Sequence, residues 1–149
     1  MNGTQHEIRL EKSQWFIDWT GQMGFGVPAI DAADRRLFAL VNALNQATLD
    51  GSPAKTVQTA LEKILRLASL HFHREENFFA QVGYPLLKGH AALHRQMRAE
   101  LEHVKDELSR VESRKIWMEY GLLVKQLFVE HTLRETAIYR TLPQAKSFH

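Results

Sequence analysis

The chain has 149 residues, of which 44% are hydrophobic and 24% charged, so we expect one globular domain spanning residues 1–149. A net charge of +2 without a basic run argues against a nucleic-acid partner, and the lack of cysteine excludes disulfides and zinc–thiolate sites. The polar first residues and the absence of a run of about 20 apolar residues predict neither a signal peptide nor a membrane span, so we expect a cytoplasmic protein without a membrane partner.

Residues 1–30 are predicted to form an arm that packs against the rest of the molecule. Glycines and Pro28 argue against a helix over residues 20–29. The arm carries the aromatic residues Trp15, Phe16, Trp19 and Phe25.

A first helix is predicted over about residues 31–50. Asp31 is its expected N-cap, and Asp34 completes a pattern like a capping box. Apolar residues at helical spacing form its buried stripe: Leu37, Phe38, Val41 and Leu44.

Three further helices are predicted over about residues 53–82, 86–110 and 113–141. Ser52 is the expected N-cap of the second helix, Pro85 opens the third, and the fourth begins near Ser113. The predicted inward stripe of the fourth helix consists of Ile116, Tyr120, Leu123, Leu127, His131 and Tyr139. Four amphipathic helices with short connections predict an all-α, up-down-up-down four-helix bundle.

Five residues on three of these helices form a candidate metal site. His71 with Glu75, and His90 with His94, are spaced four residues apart, and His131 lies on the fourth helix. Residues four apart on a helix leave from nearly the same face, with their Cβ atoms roughly 5–6 Å apart. Because the second and third helices are antiparallel, both pairs lie at similar heights in the bundle. Imidazole and carboxylate ligands without thiolate suit iron, manganese or zinc.

Simpler interpretations remain open for each part of this pattern. The alternative for His71 and Glu75 is a polar pair on a solvated helix face, and the alternative for His90 and His94 is a pair of surface histidines. Taken alone, His131 is more typical of a buried, hydrogen-bonded histidine than of a metal ligand. The joint occurrence of the five residues favours the metal site.

Several motifs together resemble the hemerythrin family, in particular the bacterial hemerythrins. The chain contains HFHREENFFAQVGYP, HAALH, the Glu130-His131 pair and the segment WTGQMGFGVPAIDAADRRLFALVN. The resemblance covers nearly the whole chain. It implies a four-helix bundle that holds a non-haem di-iron centre with five histidines and two bridging carboxylates.

The resemblance assigns roles to the five candidate ligands. His90, His94 and His131 match the three histidines of one iron. His71 matches a histidine of the other iron, and Glu75 matches a bridging carboxylate.

The chain departs from the family pattern at two ligand positions. Asp34 stands where the family has a histidine, and Thr136 stands where it has the second bridging carboxylate. This exchange leaves the number of anionic ligands at two. Either Asp34 belongs only to the helix cap and the second iron site is lost, or its carboxylate replaces the imidazole as a ligand.

Three residues near His131 bear on the same question. Glu135, four residues after His131, is first interpreted as a surface carboxylate that pairs with a basic residue; the alternative is that it replaces the missing bridge. The hydroxyl of Thr136 is a candidate to hold a metal-bound water. Thr132 stands where the family usually has an apolar residue beside the oxygen pocket, and a more polar pocket would hinder release of O2.

The resemblance therefore implies two iron ions and O2 as the partner, for storage, delivery or sensing. One ion, or manganese or zinc in place of iron, remains an alternative. Fewer protein ligands would leave more open positions, which suits oxidase- or peroxidase-like chemistry or the handling of NO or peroxide. A mononuclear or metal-free signalling module, with an unidentified signalling partner, is the third hypothesis. Whether the protein is an enzyme stays open.

Overall fold

The computed structural model describes residues 16–20, 23–24 and 27–141, with the side chains of all of these except residues 139 and 141. The expectations for Trp15 and Phe25 in the arm lie outside the described residues. Over the described ranges the secondary structure consists of four α-helices, namely α1 (Pro28–Leu49), α2 (Ala54–Gln81), α3 (Leu87–Arg110) and α4 (Arg114–Thr141).

Each helix packs against the next along the chain, and α4 returns to pack against α1. This closed arrangement confirms the predicted all-α four-helix bundle. Of the four neighbouring pairs, α3 and α4 are the least closely packed. No helix among the described residues is long and apolar enough to cross a lipid bilayer.

Three predicted helix starts are wrong by one to three residues. Helix α1 begins at Pro28, after an extended Val27 that makes no side-chain capping bond, so Asp31 lies inside the first turn. Proline suits this position because its φ angle is fixed near the helical value and it has no N–H to leave unpaired. Helix α2 begins after Pro53 rather than after Ser52, and α3 begins at Leu87 rather than at Pro85.

The predicted start of α4 is confirmed. The backbone N–H of Ile116 donates a hydrogen bond to the hydroxyl oxygen of Ser113, at 3.3 Å. This is the bond that an N-cap side chain makes to the third residue of a helix.

The predicted apolar stripe of α4 is only partly right. Leu123 is 38% exposed, whereas Val124 and Phe128 are almost fully buried. These two residues continue at helical spacing into His131 and Glu135, which are also buried. The inward face of α4 thus includes His131 as predicted, but its other described members lie about one residue away from the predicted ones.

The described part of the arm packs against the bundle. The side-chain amide of Asn42 accepts a hydrogen bond from the N–H of Ile17 at 2.6 Å and donates one to its carbonyl at 2.9 Å. The ring of Trp19 lies 5.6 Å from that of Phe38, and the Arg35 guanidinium lies over Trp19. These contacts agree with the prediction of an arm that packs against the molecule.

Candidate metal centre

Seven buried side chains gather in the interior of the bundle as two neighbouring clusters. Within each cluster, the potential ligand atoms lie within 4.8 Å of one another. The histidine-rich cluster joins α3 and α4 and consists of His90, His94, His131 and Glu135. The carboxylate-rich cluster joins α1 and α2 and consists of Asp34, His71 and Glu75.

Helical spacing explains how few elements supply so many ligands. The pairs His71–Glu75, His90–His94 and His131–Glu135 are each four residues apart, so each helix directs two side chains to one face. All seven side chains belong to residues that are at most 7% exposed. The five ligands predicted from the pattern are therefore brought together in the core, and Asp34 and Glu135 join them.

Glu135 lies between two histidines of the histidine-rich cluster. Its two carboxylate oxygens are 2.5 Å from His131 Nε2 and 2.8 Å from His90 Nε2. The first interpretation of Glu135 as a surface carboxylate is wrong, because the residue is only 1% exposed. Burial alone would raise the pKa of the Glu135 carboxyl, but the charge and hydrogen bonds of the surrounding histidines hold that pKa well below its ordinary value.

The remaining histidine of this cluster points its ring nitrogen at a neighbour. His94 Nε2 and His131 Nε2 lie 3.0 Å apart. Ring nitrogens that converge in this way are typical of ligands that share one cation, because a bound cation takes the place of a proton between the two lone pairs.

Asp34 faces His71 in the carboxylate-rich cluster. Its Oδ1 atom lies 2.5 Å from His71 Nε2, and the residue is 3% exposed. The interpretation of Asp34 as part of a helix cap is wrong, because α1 begins six residues earlier at Pro28 and the carboxylate is turned into the core. Desolvation raises the pKa of the Asp34 carboxyl, and the bond to His71 opposes that rise.

Glu75 links the two clusters. Its Oε1 atom lies 3.7 Å from His71 Nε2, 3.6 Å from His94 Nε2 and 4.0 Å from His131 Nε2. Among the described residues, neither of its buried oxygens has a hydrogen-bond partner within normal geometry. Burial, and then the charge of Glu135, raise the pKa of the Glu75 carboxyl well above its ordinary value.

The Glu75 carboxylate, which has no hydrogen-bond partner among the described residues, shows whether a metal fits this site. A buried carboxyl without a hydrogen-bond partner costs free energy whether it is charged or neutral, and a cation on either side of Glu75 would offset that cost. The donor set of imidazoles and carboxylates suits iron, manganese or zinc. The residues present therefore fit a pair of cations that Glu75 would bridge.

Glu76 supports the histidine-rich cluster from outside. Its Oε2 atom lies 3.1 Å from His94 Nδ1, and its side chain is 32% exposed. A carboxylate at the outer nitrogen of a histidine directs the lone pair of the other nitrogen toward a metal. The ring of Phe72 stacks on His94 with a centroid distance of 4.2 Å and fixes its plane. Sequence reasoning missed Glu76, although its place directly after Glu75, at the edge of the same helix face, was a usable signal.

Two threonines of α4, each next in sequence to a clustered residue, are buried. Thr132 and Thr136 are each 2% exposed. The hydroxyl of Thr136 donates a hydrogen bond to the backbone carbonyl of Met23 at 3.0 Å. This hydrogen bond joins the described arm to α4, the helix that carries His131. It also uses the hydroxyl proton of Thr136.

A cavity of about 160 Å³ opens between α3 and α4, the least closely packed helix pair. His131 is part of its wall and, at 7%, is the most exposed of the seven clustered residues. The other lining residues are Leu93, Gln96, Met97, Glu100, Leu127, Glu130 and Arg134. A small molecule can therefore approach the histidine-rich cluster from this side.

A helical bundle whose core holds histidine and carboxylate ligands from all four helices defines a class of metal-binding proteins. The model of the Hemerythrin HHE cation binding domain matches residues 26–142, and the chain belongs to this family. Membership implies that it is a non-haem iron-binding protein.

Curated relatives agree with the family. The chain is 26% identical over 107 residues to "Bacteriohemerythrin" of Campylobacter jejuni subsp. jejuni serotype O:23/36 (strain 81-176), a match that covers 71% of this chain and 79% of the relative. It is 25% identical over 107 residues to the proteins of the same name from serotype O:6 (strain 81116 / NCTC 11828) and serotype O:2 (strain ATCC 700819 / NCTC 11168), with the same coverage.

Proposed function

We propose that the protein holds two iron ions in the two clusters and binds O2, or responds to it, at this pair. The position of Glu75 between the clusters, with both oxygens buried and without a partner in the described structure, supports two ions rather than one. When bound, the iron pair would supply the electrons that a diatomic or peroxide ligand exchanges.

The ligand assignment follows the two clusters. Glu135 and the three histidines of α3 and α4 would hold one ion. Asp34 and His71 would hold the other, and Glu75 would bridge them. This gives four histidines and three carboxylates, so Asp34 and Glu135 would fill the two places in which the chain departs from the family pattern.

The surroundings of the clusters suit a small neutral ligand. The cavity beside His131 offers an entrance of about 160 Å³, and Phe72 shields the histidine-rich cluster on its inner side. Such a cavity has room for a diatomic molecule next to His131. The lack of cysteine fits a reducing compartment, and we propose the cytoplasm as its location.

Metal content of the protein and of one variant tests the assignment. We expect close to two irons per chain in protein purified from iron-supplemented cells. Asp34→Ala should lose the iron of the carboxylate-rich cluster and retain the other. Asp31→Ala is the matched control, because Asp31 lies on the same helix outside the clusters, and it should keep both irons. An Asp34→Ala protein with undiminished iron would contradict the assignment of Asp34.

Glu135 favours a second candidate function, oxidase- or peroxidase-like chemistry. A third carboxylate makes the donor set more anionic, and negative ligands stabilise the more highly charged, oxidised metal. A buried hydroxyl at Thr132 adds polarity beside the site. Both features would favour electron transfer to O2 or peroxide over reversible binding.

Removal of O2 from the reduced, oxygenated protein separates the two functions. Reversible binding predicts that the spectrum of the reduced protein returns under argon. Oxidase- or peroxidase-like chemistry predicts that the iron stays oxidised and that added peroxide is consumed faster than by free iron. Peroxide consumption no faster than that of free iron would exclude the second function.

A further inference from the structure

A second cavity lies on the side of the bundle away from His131. It has a volume of about 290 Å³ and lies between the beginning of α1 and the second half of α2. Its lining residues are Val27, Ala29, Ile30, His71, Arg74, Asn77, Phe78 and Gln81. Two of these, Ile30 and Phe78, are buried apolar residues, so the cavity combines an apolar wall with polar groups.

His71 joins this cavity to the carboxylate-rich cluster. Its Nε2 atom faces Asp34 and Glu75, which leaves Nδ1 as the polar atom that remains for another ligand. The residue is 2% exposed, and among the described residues Nδ1 has no hydrogen-bond partner. A histidine that ligates a metal through Nε2 carries its proton on Nδ1, and such N–H groups nearly always donate to a carboxylate, a carbonyl or water.

Positive electrostatic features meet in the same place. Arg74 belongs to the lining, about one helical turn after His71, and its side chain carries a permanent positive charge. Helix α1 begins at the cavity, and its N-cap residue Val27 makes no side-chain capping bond. The N–H groups of Ala29 and Ile30 precede the first bond within that helix, which Asp31 donates to Val27. The beginning of a helix of 22 residues attracts negative charge.

We propose that this cavity binds a small organic acid with a short apolar chain. Its carboxylate would accept a hydrogen bond from Nδ1–H of His71 and pair with Arg74. Its carbon chain would lie against Ile30 and Phe78. This apolar wall favours an organic monocarboxylate over an inorganic anion of similar charge.

The bound acid would also regulate the metal centre. A carboxylate at Nδ1–H makes the imidazole a stronger ligand at Nε2. The acid would therefore tighten the ion held by Asp34 and His71, and by reciprocity that ion would tighten the acid by the same factor. This coupling rests on the proposed metal site, because the bound metal is what leaves the proton on Nδ1.

The binding test uses butyrate as the probe and the full chain loaded with zinc as the protein. Zinc is chosen because it binds to such ligands without redox chemistry. Chemical shifts of ¹³C-labelled butyrate should report saturable binding with a Kd on the order of 1 mM. Arg74→Gln should weaken this binding about tenfold, the loss expected for one charge-assisted contact. Arg98→Gln, which removes an exposed arginine from α3, should leave it unchanged.

Further measurements distinguish an organic acid from an inorganic anion, and they separate this inference from the proposed metal pair. Acetate should bind more weakly than butyrate, and phosphate more weakly still; phosphate as tight as butyrate would overturn the choice of an organic acid. Zinc content is measured on the same sample. Protein that holds zinc in both clusters but shows no saturable butyrate binding would overturn this inference alone. Protein that holds no zinc at Asp34 and His71 would overturn both this inference and the proposed metal pair.

Discussion

The two clusters use the same kinds of side chain but differ in their ratio of histidines to carboxylates. In the histidine-rich cluster, three histidines surround Glu135, and its pKa is held well below the ordinary value. In the carboxylate-rich cluster, a single histidine faces Asp34 and Glu75, and the pKa of both carboxyls is raised. The first cluster pairs its charges within the protein, whereas in the second the Glu75 carboxyl has no hydrogen-bond partner among the described residues, and a cation would supply one. We therefore expect the dependence on metal to be concentrated around Glu75.

Of the changes that test this difference between the clusters, metal removal should have the largest effect on stability. An ion present at a thousand times its Kd stabilises the folded state by about 4 kcal/mol. Exhaustive chelation should therefore lower the thermal midpoint strongly, and amide hydrogen exchange should rise more around His71 on α2 than around His94 on α3. Equal rises at both places would remove the distinction between the clusters.

Glu135→Gln should be the most damaging single change in the metal-free protein. It leaves His90 and His131 without their charged partner, and breaking a buried pair costs about 3 kcal/mol. Asp34→Asn, as the counterpart in the other cluster, should cost much less, because desolvation already disfavours the Asp34 charge. Urea unfolding of the two metal-free variants measures the difference, and an equal loss in both would contradict it.

Gly121→Ala should disturb the two clusters unequally. A Cβ atom at Gly121 on α4 would lie 2.0 Å from the side-chain oxygen of the fully buried Asn45 on α1. Overpacking of this kind costs about 2 kcal/mol, and it would move α1 away from α4. Because Asp34 lies on α1, iron in the carboxylate-rich cluster should fall first. Gly89→Ala, where a Cβ meets nothing within 4 Å, is the control and should keep both irons.

Glu75→Gln should produce the smallest change in stability, and it should be a gain. Removing this buried ionisable group, whose charged form is disfavoured by burial, should stabilise the metal-free protein by about 1 kcal/mol near neutral pH. The pKa of Glu75 is raised in the folded state, so at low pH the carboxyl is protonated in both the folded and the unfolded chain and does not affect the free energy of unfolding. As the pH rises above 4.5 toward the folded-state pKa, the carboxyl ionises in the unfolded chain first, and the folded protein loses stability. The gain should therefore vanish below pH 4.5, and thermal unfolding across pH measures it. Glu62→Gln, an exposed change on the same helix, is the control.

Helical periodicity accounts for what the sequence alone could predict. The i, i+4 pairs of α2 and α3, together with His131, identified five of the seven clustered residues because such spacing fixes a common helix face without further information. The bundle followed from four amphipathic segments with short connections. Neither inference needed knowledge of how the helices rotate against each other.

The roles of Asp34 and Glu135 did need that knowledge. Both are acidic residues on amphipathic helices, and local patterns favour a cap or a solvated face for them. Glu135 is buried because the inward face of α4 includes Val124 and Phe128 rather than Leu123. Asp34 is buried because it lies on the same face of α1 as Leu37, Phe38 and Val41, and that face packs into the bundle. Contacts between helices decide how far the buried face of each helix extends.

The most direct test of a metal pair linked by Glu75 is the iron content of the purified protein, combined with paramagnetic resonance of its partly reduced form. We expect close to two irons per chain and the signal of a spin-coupled pair, and Glu75→Gln should abolish that coupling. One iron per chain, or two irons whose signals are those of isolated ions, would contradict this expectation.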